Sequence, residues 1–314
     1  MRTTDNSHRG RLRQIPIYLG KCFRTFIFMD DWKVLPMAAL IGGLVAFVAC
    51  SNLFVTMEGT TSGGFAMVCV CIWNGFFNSI QVVCRERNIV KREHRSGMHI
   101  SSYVAANMIY QAFLCMMQTV IILTVCRVAG VNLSAASMIT PWFAADIGIT
   151  MFLITYTADM LSLMVSCIVS NPTTAMTVMP FILIVQLVLS GTMFRLDGKA
   201  AEIEKITISK WGMDCLCSQA HFNDLPTVSL WNQIFKYRDF EIEGIRPVEG
   251  ITNYMMDNHL VDAFCQKAGQ FSQNPAYAGT PAHVLKCWLV LIAFALSYAL
   301  IGMLFLERID RDKR

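Results

Sequence analysis

Three side chains in this sequence could do chemistry inside long apolar segments. Asp159 lies in one such segment, and Asn74 and Asn78 lie one helical turn apart in another. An ionisable group at membrane depth is costly and therefore indicates function, whereas buried asparagines also serve as structural hydrogen bonds between helices. We predict that Asp159 faces a helix interface or a wet cavity rather than lipid.

Motifs of the common enzyme classes are missing. The sequence contains no His-Glu-x-x-His zinc motif, no Gly-x-Ser-x-Gly nucleophile elbow and no Walker A loop. His94, His99 and His283 lie near the ends of apolar segments, far from the depth of Asp159. We expect no enzymatic activity and no metal site in this chain by itself. A membrane-embedded enzyme that uses Asp159, and a non-transporting membrane scaffold or sensor whose outer cap binds a ligand, remain alternatives.

The composition places these residues in a membrane protein. Of the 314 residues, 54% are hydrophobic and 15% are charged, with a mean hydropathy of +0.47, whereas soluble domains carry about 25% charged residues. Because helices satisfy their own backbone hydrogen bonds in lipid, we predict an all-α membrane protein with six transmembrane helices. The six runs exceed the roughly 18 apolar residues of a span and cover Leu35–Met57, Ser62–Cys84, Ser101–Cys126, Ile139–Ser170, Pro172–Phe194 and Val284–Leu306.

Basic residues mark one side of the membrane. Lys and Arg cluster ahead of the first run, between the second and third runs, and after the last run. By the positive-inside rule, both termini and the charged segment Cys84–Gly97 lie in the cytoplasm of a multi-pass cell-membrane protein. The net charge of +4 reflects this asymmetry, and the sequence has no basic–aromatic platform for nucleic acid.

This topology divides the chain into two regions. Residues 34–314 are predicted to form the six-span transmembrane domain, including a large extracytoplasmic loop at 195–283 between the last two spans. Residues 1–33 are predicted to form a cytoplasmic N-terminus with an amphipathic helix on the membrane face or packed on a partner. Its apolar stripe recurs at helical spacing and consists of Leu12, Ile15, Leu19, Cys22, Phe23 and Phe26.

Cysteines in the outer loop suggest a cross-link. Of the 12 cysteines, Cys215, Cys217 and Cys265 lie in this loop, and an outer location permits disulfides. Because Cys215 and Cys217 are too close in sequence for an easy mutual bridge, we predict a disulfide between Cys265 and one of them. A zinc site is disfavoured because no Cys-x-x-Cys pair is present.

The segment Cys84–Gly97 reads CRERNIVKREHRSG and predicts a short charged helix that Gly97 ends. Glu86 and Glu93 interrupt a run that orientation alone would leave uniformly basic. They are seven residues apart, so they lie on nearly the same helix face. That face can pair internally with Arg87 and its neighbours, or meet basic residues of a soluble partner. The plainer interpretation is a solvated loop that only sets topology.

The order of motifs resembles that of the G subfamily of ABC exporters, within the type-2 ABC permeases. The segment ERNIVKREHRSGMHISSYV is similar to the one that follows this family's second span, and its matching residues are Glu86, Arg87, Glu93, Gly97, Ser101, Ser102 and Tyr103. The helix before the first span resembles the family's connecting helix, and Ser170–Pro172 resembles its tight inner turn. SGTMF and ISKWGMDCLCSQA resemble its outer re-entrant region and the short helix that follows. The resemblance covers most of the chain except Asn223–Thr280.

This resemblance implies the permease subunit of an ATP-driven exporter, a homo- or heterodimer whose nucleotide-binding domains, with ATP and Mg, lie on a partner chain. It implies that Glu86, Arg87, Glu93 and Gly97 couple the permease to the ATPase. The family's eukaryotic members carry that domain ahead of the connecting helix, where only a short stretch stands here, so we expect a separate subunit or a piece of a longer chain. The resemblance also implies a translocation pathway lined by Asn74, Phe77, Asn78, Met179 and Val185. We add Asp159 to this pathway, although the family has small apolar residues at that position.

Overall fold

The computed structural model describes residues 10–28, 32, 34–49, 52–133, 135–191, 199–241 and 246–308. Over these residues the chain is helical and contains no strand. The helices are α1 Arg11–Phe28, α2 Val34–Ala49, α3 Met57–Ser79, α4 Val82–Arg95, α5 Ile100–Val128, α6 Phe143–Ile168, α7 Pro172–Val188, α8 Lys199–Glu204, α9 Ile208–Gln219, α10 Ser229–Lys236, α11 Pro247–Asp257, α12 Val261–Phe271 and α13 Pro281–Leu306.

Four helical segments have the length and apolarity to cross a membrane. They are Met57–Arg95, which joins α3 to α4, and the helices α5, α6 and α13. Helices α2 and α7 are also apolar but have only 16 and 17 residues, which corresponds to about 24–26 Å against a hydrocarbon core of about 30 Å. The described residues therefore form an all-helical, multi-pass bundle with four candidate spans and two shorter apolar helices.

Helix boundaries follow from local signals. The hydroxyl of Thr56 accepts a hydrogen bond from the backbone N–H of Gly59 at 3.1 Å and so caps α3. Proline occupies the first position of α7 and of α13, where its missing N–H has no cost. Only three residues separate the end of α6 from Pro172, which confirms the tight turn predicted at Ser170–Pro172. Of the predicted SGTMF region, residues 192–194 lie outside the described part of the chain.

Helices α3 and α6 form the centre of the bundle, and α13 and α9 pack on α6. Phe76 of α3 is fully buried, and its carbonyl accepts a hydrogen bond of 2.8 Å from the Ser162 hydroxyl of α6. Gly75 allows a close backbone approach, because a Cβ there would lie 2.8 Å from the Asp159 nitrogen and 2.9 Å from the Ala158 Cβ. Small residues at such crossings let two membrane helices meet closely.

Helix α1 packs along the first half of α5. The rings of Tyr18 and Tyr103 meet edge to face with centroids 5.9 Å apart, and those of Phe23 and Tyr110 do so at 5.6 Å. The N-terminal region thus contains a helix, and this helix packs on α5 of the same chain. The apolar stripe is divided, because Phe23 faces α5 whereas Leu12 is 82% exposed.

Helix α9 belongs to the core of the bundle. Ile208, Met213 and Leu216 are buried, and the helix packs against α3, α6 and α13. A Cβ on Gly212 would lie 2.9 Å from Cδ1 of Ile154 on α6. Within the region predicted as one external loop, residues 195–283, α9 therefore packs on the bundle, because burial of its apolar face is favourable.

The part of this region that does stand apart, α10 to α12, is attached through Glu58 in the first turn of α3. The Glu58 carboxylate accepts hydrogen bonds from the Thr227 hydroxyl and from the backbone N–H groups of Val228 at 3.2 Å and Ser229 at 2.8 Å. These N–H groups open α10, where a helix lacks internal partners and favours negative charge. Glu58 therefore fixes where α10 starts relative to α3.

The predicted disulfide is not formed, because Cys215, Cys217 and Cys265 are free thiols. Cys215 lies on α9 inside the bundle, with its sulfur 3.3 Å from the Thr150 hydroxyl of α6. Cys265 lies on α12, where its carbonyl accepts a hydrogen bond of 3.2 Å from the Thr227 N–H. Cys215 and Cys217 lie on α9 and Cys265 lies on α12, so their position in one loop did not pair them.

Candidate functional site

The charged segment of the sequence is helix α4, which confirms the predicted helix. Glu86 accepts a hydrogen bond of 2.9 Å from the Nζ of Lys21 on α1. The lysine side chain is 33% exposed and the glutamate side chain 24%, so the pair contributes only about 0–1 kcal/mol. Its main effect is to position α1 against α4.

Arg87 joins α4 to the end of α6. Its Nη1 donates hydrogen bonds to the carbonyls of Cys167 at 3.0 Å and Val169 at 3.2 Å. Carbonyls in the last turn of a helix lack internal partners, and a cation there also meets the negative end of the helix dipole. In the other direction, the Ser166 hydroxyl of α6 accepts from the Val83 N–H at 3.1 Å. Arg87 thus contacts a second helix of its own chain.

Glu93, the second acidic residue of α4, faces Tyr18 of α1. Burial, followed by the charge and hydrogen bond of Glu93, raises the pKa of Tyr18 above its ordinary value. The Oε2 atom of Glu93 is buried and has no hydrogen-bond partner among the described residues. Both glutamates predicted to couple to an ATPase therefore turn toward α1.

Helix α4 ends at Gly97, whose φ of 101° is a conformation that favours glycine. Gln14 of α1 bridges this turn, since its Nε2 donates to the Gly97 carbonyl at 3.2 Å and its Oε1 accepts from the His99 N–H at 2.9 Å. Gln14 is only 8% exposed and was not among the predicted site residues. A signal was present, because Gln14, Tyr18 and Lys21 recur at helical spacing on one face of α1.

These contacts link α1, α4, the Gly97 turn and the last turn of α6 into one unit, which we call the junction. The face of α4 that points away from this unit contains Asn88, Arg92 and Arg95, which are exposed and recur at helical spacing. Helix α4 therefore presents a basic face to its surroundings, and α1 and α6 contact its opposite side.

A second polar site, which we call the polar cluster, lies inside the bundle between α3, α5 and α6. Asp159 is fully buried, and its carboxylate accepts hydrogen bonds from the Ser79 hydroxyl and from the Cys115 thiol, the latter at 3.3 Å. Asn78 and Gln118 exchange two hydrogen bonds of 2.9 Å each, and the Asn78 Nδ2 lies 3.6 Å from the Cys115 sulfur. The predicted placement of Asp159 at a helix interface is confirmed.

The other predicted pathway residues do not converge on one point. Asn74 is buried, and its Nδ2 has no hydrogen-bond partner among the described residues. Phe77 and Val185 are 42% and 51% exposed, whereas Met179 is buried. Met179 and Val185 are six residues apart on α7 and so point in different directions. The predicted set is therefore divided between the core and the surface of this chain.

A cavity of about 230 Å³ lies beside the polar cluster, between α3, α4, α5 and α7. Phe77 and Asn78 line it from α3, and Met176 lines it from α7. Arg85 of α4 and Gln111 of α5 complete the part of the wall that matters chemically. The cavity therefore extends from the charged helix α4 into the apolar bundle.

The bundle, the junction and the internal cavity define a polytopic helical membrane protein whose parts suit transport across the bilayer. Residues 17–217 match the family described as ABC-2 type transporter, a segment that runs from within α1 into α9 and includes the polar cluster and the junction except for Gln14. The chain belongs to the ABC-2 type transporter family. It is thus a transporter permease, and permease domains of this family usually work with an ATP-binding subunit. No curated protein matches the chain at a significant level.

Proposed function

We propose that this chain is the permease subunit of an ATP-driven exporter of the G-subfamily type. In this proposal ATP and Mg are bound by nucleotide-binding domains on a partner chain, and two permease chains, alike or different, enclose the pathway. Both termini and α4 face the cytoplasm, since the basic residues cluster there. The chain itself does not hydrolyse ATP, because its sequence has no Walker A loop.

The observation that carries the proposal is the junction. Helix α4 is held by α1 through Lys21 and Glu86 and by α6 through Arg87. Helix α6 in turn packs on α3 and carries Asp159. A displacement of α4 by a moving ATPase would therefore reach the polar cluster through packed helices, as in a rigid-body gating transition.

The exposed face of α4 supports a docking role toward the ATPase. Arg92 is exposed on α4, so a partner surface with carboxylates would complement it. Glu86 and Glu93 instead contact or face α1. We assign these two glutamates to the positioning of α4 and Arg92 to partner recognition.

Six spans require that α2 and α7 also cross the membrane. Each is about 4–6 Å shorter than the hydrocarbon core, a mismatch that local bilayer thinning or flanking residues can accommodate. The exposed apolar side chains of Phe77 on α3 and Val185 on α7 supply surface that a second permease chain could cover. This supports a dimeric pathway.

The partner assignment is tested by purification of the tagged chain in detergent and mass spectrometry of the proteins that copurify. We expect a P-loop ATPase with the wild-type chain and severalfold less with Arg92→Glu, because the reversed charge would oppose acidic groups on the partner. The matched control is Arg127→Glu, which reverses a charge in the last turn of α5. This variant should retain the ATPase. Absence of an ATPase, or equal recovery with both variants, would contradict the proposal.

Coupling is tested in the reconstituted complex by the ratio of substrate flux to ATP hydrolysis. The double variant Glu86→Ala, Glu93→Ala should insert and assemble, since surface ion pairs contribute only about 0–1 kcal/mol, but it should move less substrate per ATP hydrolysed. Unchanged flux in this variant would reduce α4 to a topology signal. Glu202→Ala, a change in an exposed surface ion pair, controls for loss of charge alone.

A further inference from the structure

Two thiols from different helices meet where α9 packs on α13. Cys215 of α9 and Cys287 of α13 are each 0% exposed and pack with Val284 in one buried cluster. Their thiols are close enough to interact through a hydrogen bond. Both cysteines are free, so the structure shows the reduced form of this pair.

Thr150 of α6 holds the two helices at the position where the thiols meet. Its hydroxyl lies 3.3 Å from the Cys215 sulfur and accepts a hydrogen bond of 2.8 Å from the indole N–H of Trp288. Trp288 follows Cys287 in the sequence of α13. One side chain of α6 therefore fixes both α9 and the first turns of α13, so the thiol pair is positioned by packed helices rather than by a loop.

The two thiols have different surroundings. The Nε2 of His283, one turn before Cys287 on α13, lies 3.7 Å from the Cys287 sulfur, and a neutral imidazole there can take the thiol proton. Burial raises the pKa of the Cys215 thiol, so Cys215 stays protonated. Cys287 is therefore the thiol that reacts first, and Cys215 is the thiol that completes a cross-link.

We propose that Cys287 and Cys215 are an oxidation site for hydrogen peroxide, at which a disulfide forms between α13 and α9. In the first step the Cys287 thiolate attacks one peroxide oxygen. A sulfur–oxygen bond forms, the peroxide O–O bond breaks, and the departing hydroxide takes the proton held by His283 to become water.

The second step closes the disulfide. The Cys215 sulfur attacks the Cys287 sulfenic acid, the sulfur–sulfur bond forms, and the hydroxyl group leaves with the Cys215 proton as a second water. The two thiols together lose two electrons and two protons, and one peroxide is reduced to two waters. The balance needs no other reactant.

Burial selects the oxidant. Because both sulfurs are 0% exposed, a reagent reaches them only through brief local openings of the packed helices. Hydrogen peroxide is close to water in size and needs a smaller opening than a bulky disulfide such as oxidised glutathione. Oxidised glutathione should therefore react much more slowly at this pair.

The disulfide has a mechanical consequence for α7. The Gln186 side chain of α7 accepts a hydrogen bond of 2.8 Å from the Ile208 N–H of α9, and its carbonyl accepts one from the Ser209 hydroxyl. A covalent bond between α9 and α13 therefore limits how far the end of α7 can move relative to α13.

The test uses the full chain in detergent, reduced, freed of reductant and then treated with hydrogen peroxide. After alkylation in denaturant, peptide mass spectrometry should show Cys215 linked to Cys287. The melting temperature should rise by roughly 4–8 °C, and dithiothreitol should reverse both changes. The measurement needs neither ATP nor a partner chain, so its outcome is independent of the proposed export function.

Variants separate this pair from general thiol oxidation. The matched control is Cys217→Ala, because Cys217 is also a 0% exposed cysteine of α9 but lies outside the cluster. This variant should keep the link and the rise in melting temperature. Cys215→Ala should lose both and retain a Cys287 sulfenic acid that dimedone labels, and His283→Gln should form the link roughly tenfold or more slowly.

Three results would overturn the inference. They are the absence of a link between Cys215 and Cys287 in the peroxide-treated wild type, a peroxide-dependent rise in melting temperature that persists in Cys215→Ala, and linkage in His283→Gln at the wild-type rate. Each variant is compared with its own reduced form, so a change in basal stability does not affect the reading.

Discussion

Replacement of Gly75 by alanine should push the two central helices apart. A Cβ at this position would lie 2.8 Å from the Asp159 nitrogen and 2.9 Å from the Ala158 Cβ, and closer still to the Thr155 carbonyl oxygen. Real Cβ atoms essentially never approach other atoms within 3.0 Å. Two of these neighbours are backbone atoms of α6, so a side-chain rotation cannot relieve the overlap and α3 must move away from α6.

The cost follows from that movement. Overpacking of a well-filled interface typically costs about 1–3 kcal/mol, and a gap of about 0.5–1 Å forfeits a quarter to a half of the dispersion energy of the contacts it opens. The gain in helix propensity from glycine to alanine is about 1 kcal/mol and offsets only part of this. We expect Gly75→Ala to lose about 1 kcal/mol net, which lowers the melting temperature by roughly 2–4 °C.

Thermal melting of the purified chain in detergent measures this, and helix α3 contains a matched control. A Cβ at Gly64 would meet only the Met213 side chain, at 3.7 Å, so Gly64→Ala should keep the propensity gain and melt at or above the wild type. Adding Ala158→Gly to Gly75→Ala should restore stability only in part, because the backbone overlaps remain. If Gly75→Ala and Gly64→Ala melt together, the close approach of α3 and α6 is refuted.

Three further changes test other parts of the structure. Glu86→Lys should repel Lys21 and cost up to about 1 kcal/mol in unfolding measurements, and a double variant with Lys21→Glu should recover it; no recovery would contradict the ion pair. Asp159→Leu should lower the free energy of unfolding by about 1–3 kcal/mol more than Asp159→Asn, because the Ser79 hydroxyl then lacks its acceptor. Equal losses of stability in the two variants would argue against the polar cluster. Burial raises the pKa of Asp214, which lies outside the candidate spans, from 3.8 to about 6. The native state then holds this proton more tightly than the unfolded chain, so the melting temperature should fall as pH rises through this range. The fall should be smaller in Asp214→Asn. Equal pH profiles of the two proteins would contradict the burial of Asp214.

Local patterns in the sequence were sufficient to predict most of the helices. Length and apolarity identified α3, α5, α6 and α13, because a helix in lipid satisfies its hydrogen bonds within its own segment. The order of charges and the glycine at its end identified α4 in the same way. The length of a helix depends also on where its neighbours turn, which is why α2 and α7 are shorter than the apolar runs that predicted them.

The junction was partly predictable. Glu86, Glu93 and Gly97 were chosen correctly as residues of one short helix and its end. Their partners on α1 could have been anticipated from the polar stripe of Gln14 and Lys21, since helical spacing places these residues on one face. The contact of Arg87 with the end of α6 had no such signal, because unsatisfied carbonyls occur at the end of every helix.

The sequence by itself determined that this chain is a helical membrane protein with a charged helix between apolar ones, because those properties depend on composition and short-range periodicity. Only the tertiary structure decided which polar groups meet. Asp159 bonds to Ser79 across 80 residues of sequence and to Cys115 across 44. Apolar helices of similar hydropathy can be arranged in many orders without a difference in burial. The fit at Gly75 and the pairing of buried polar groups select one arrangement, and these depend on shapes that form only when distant segments pack together.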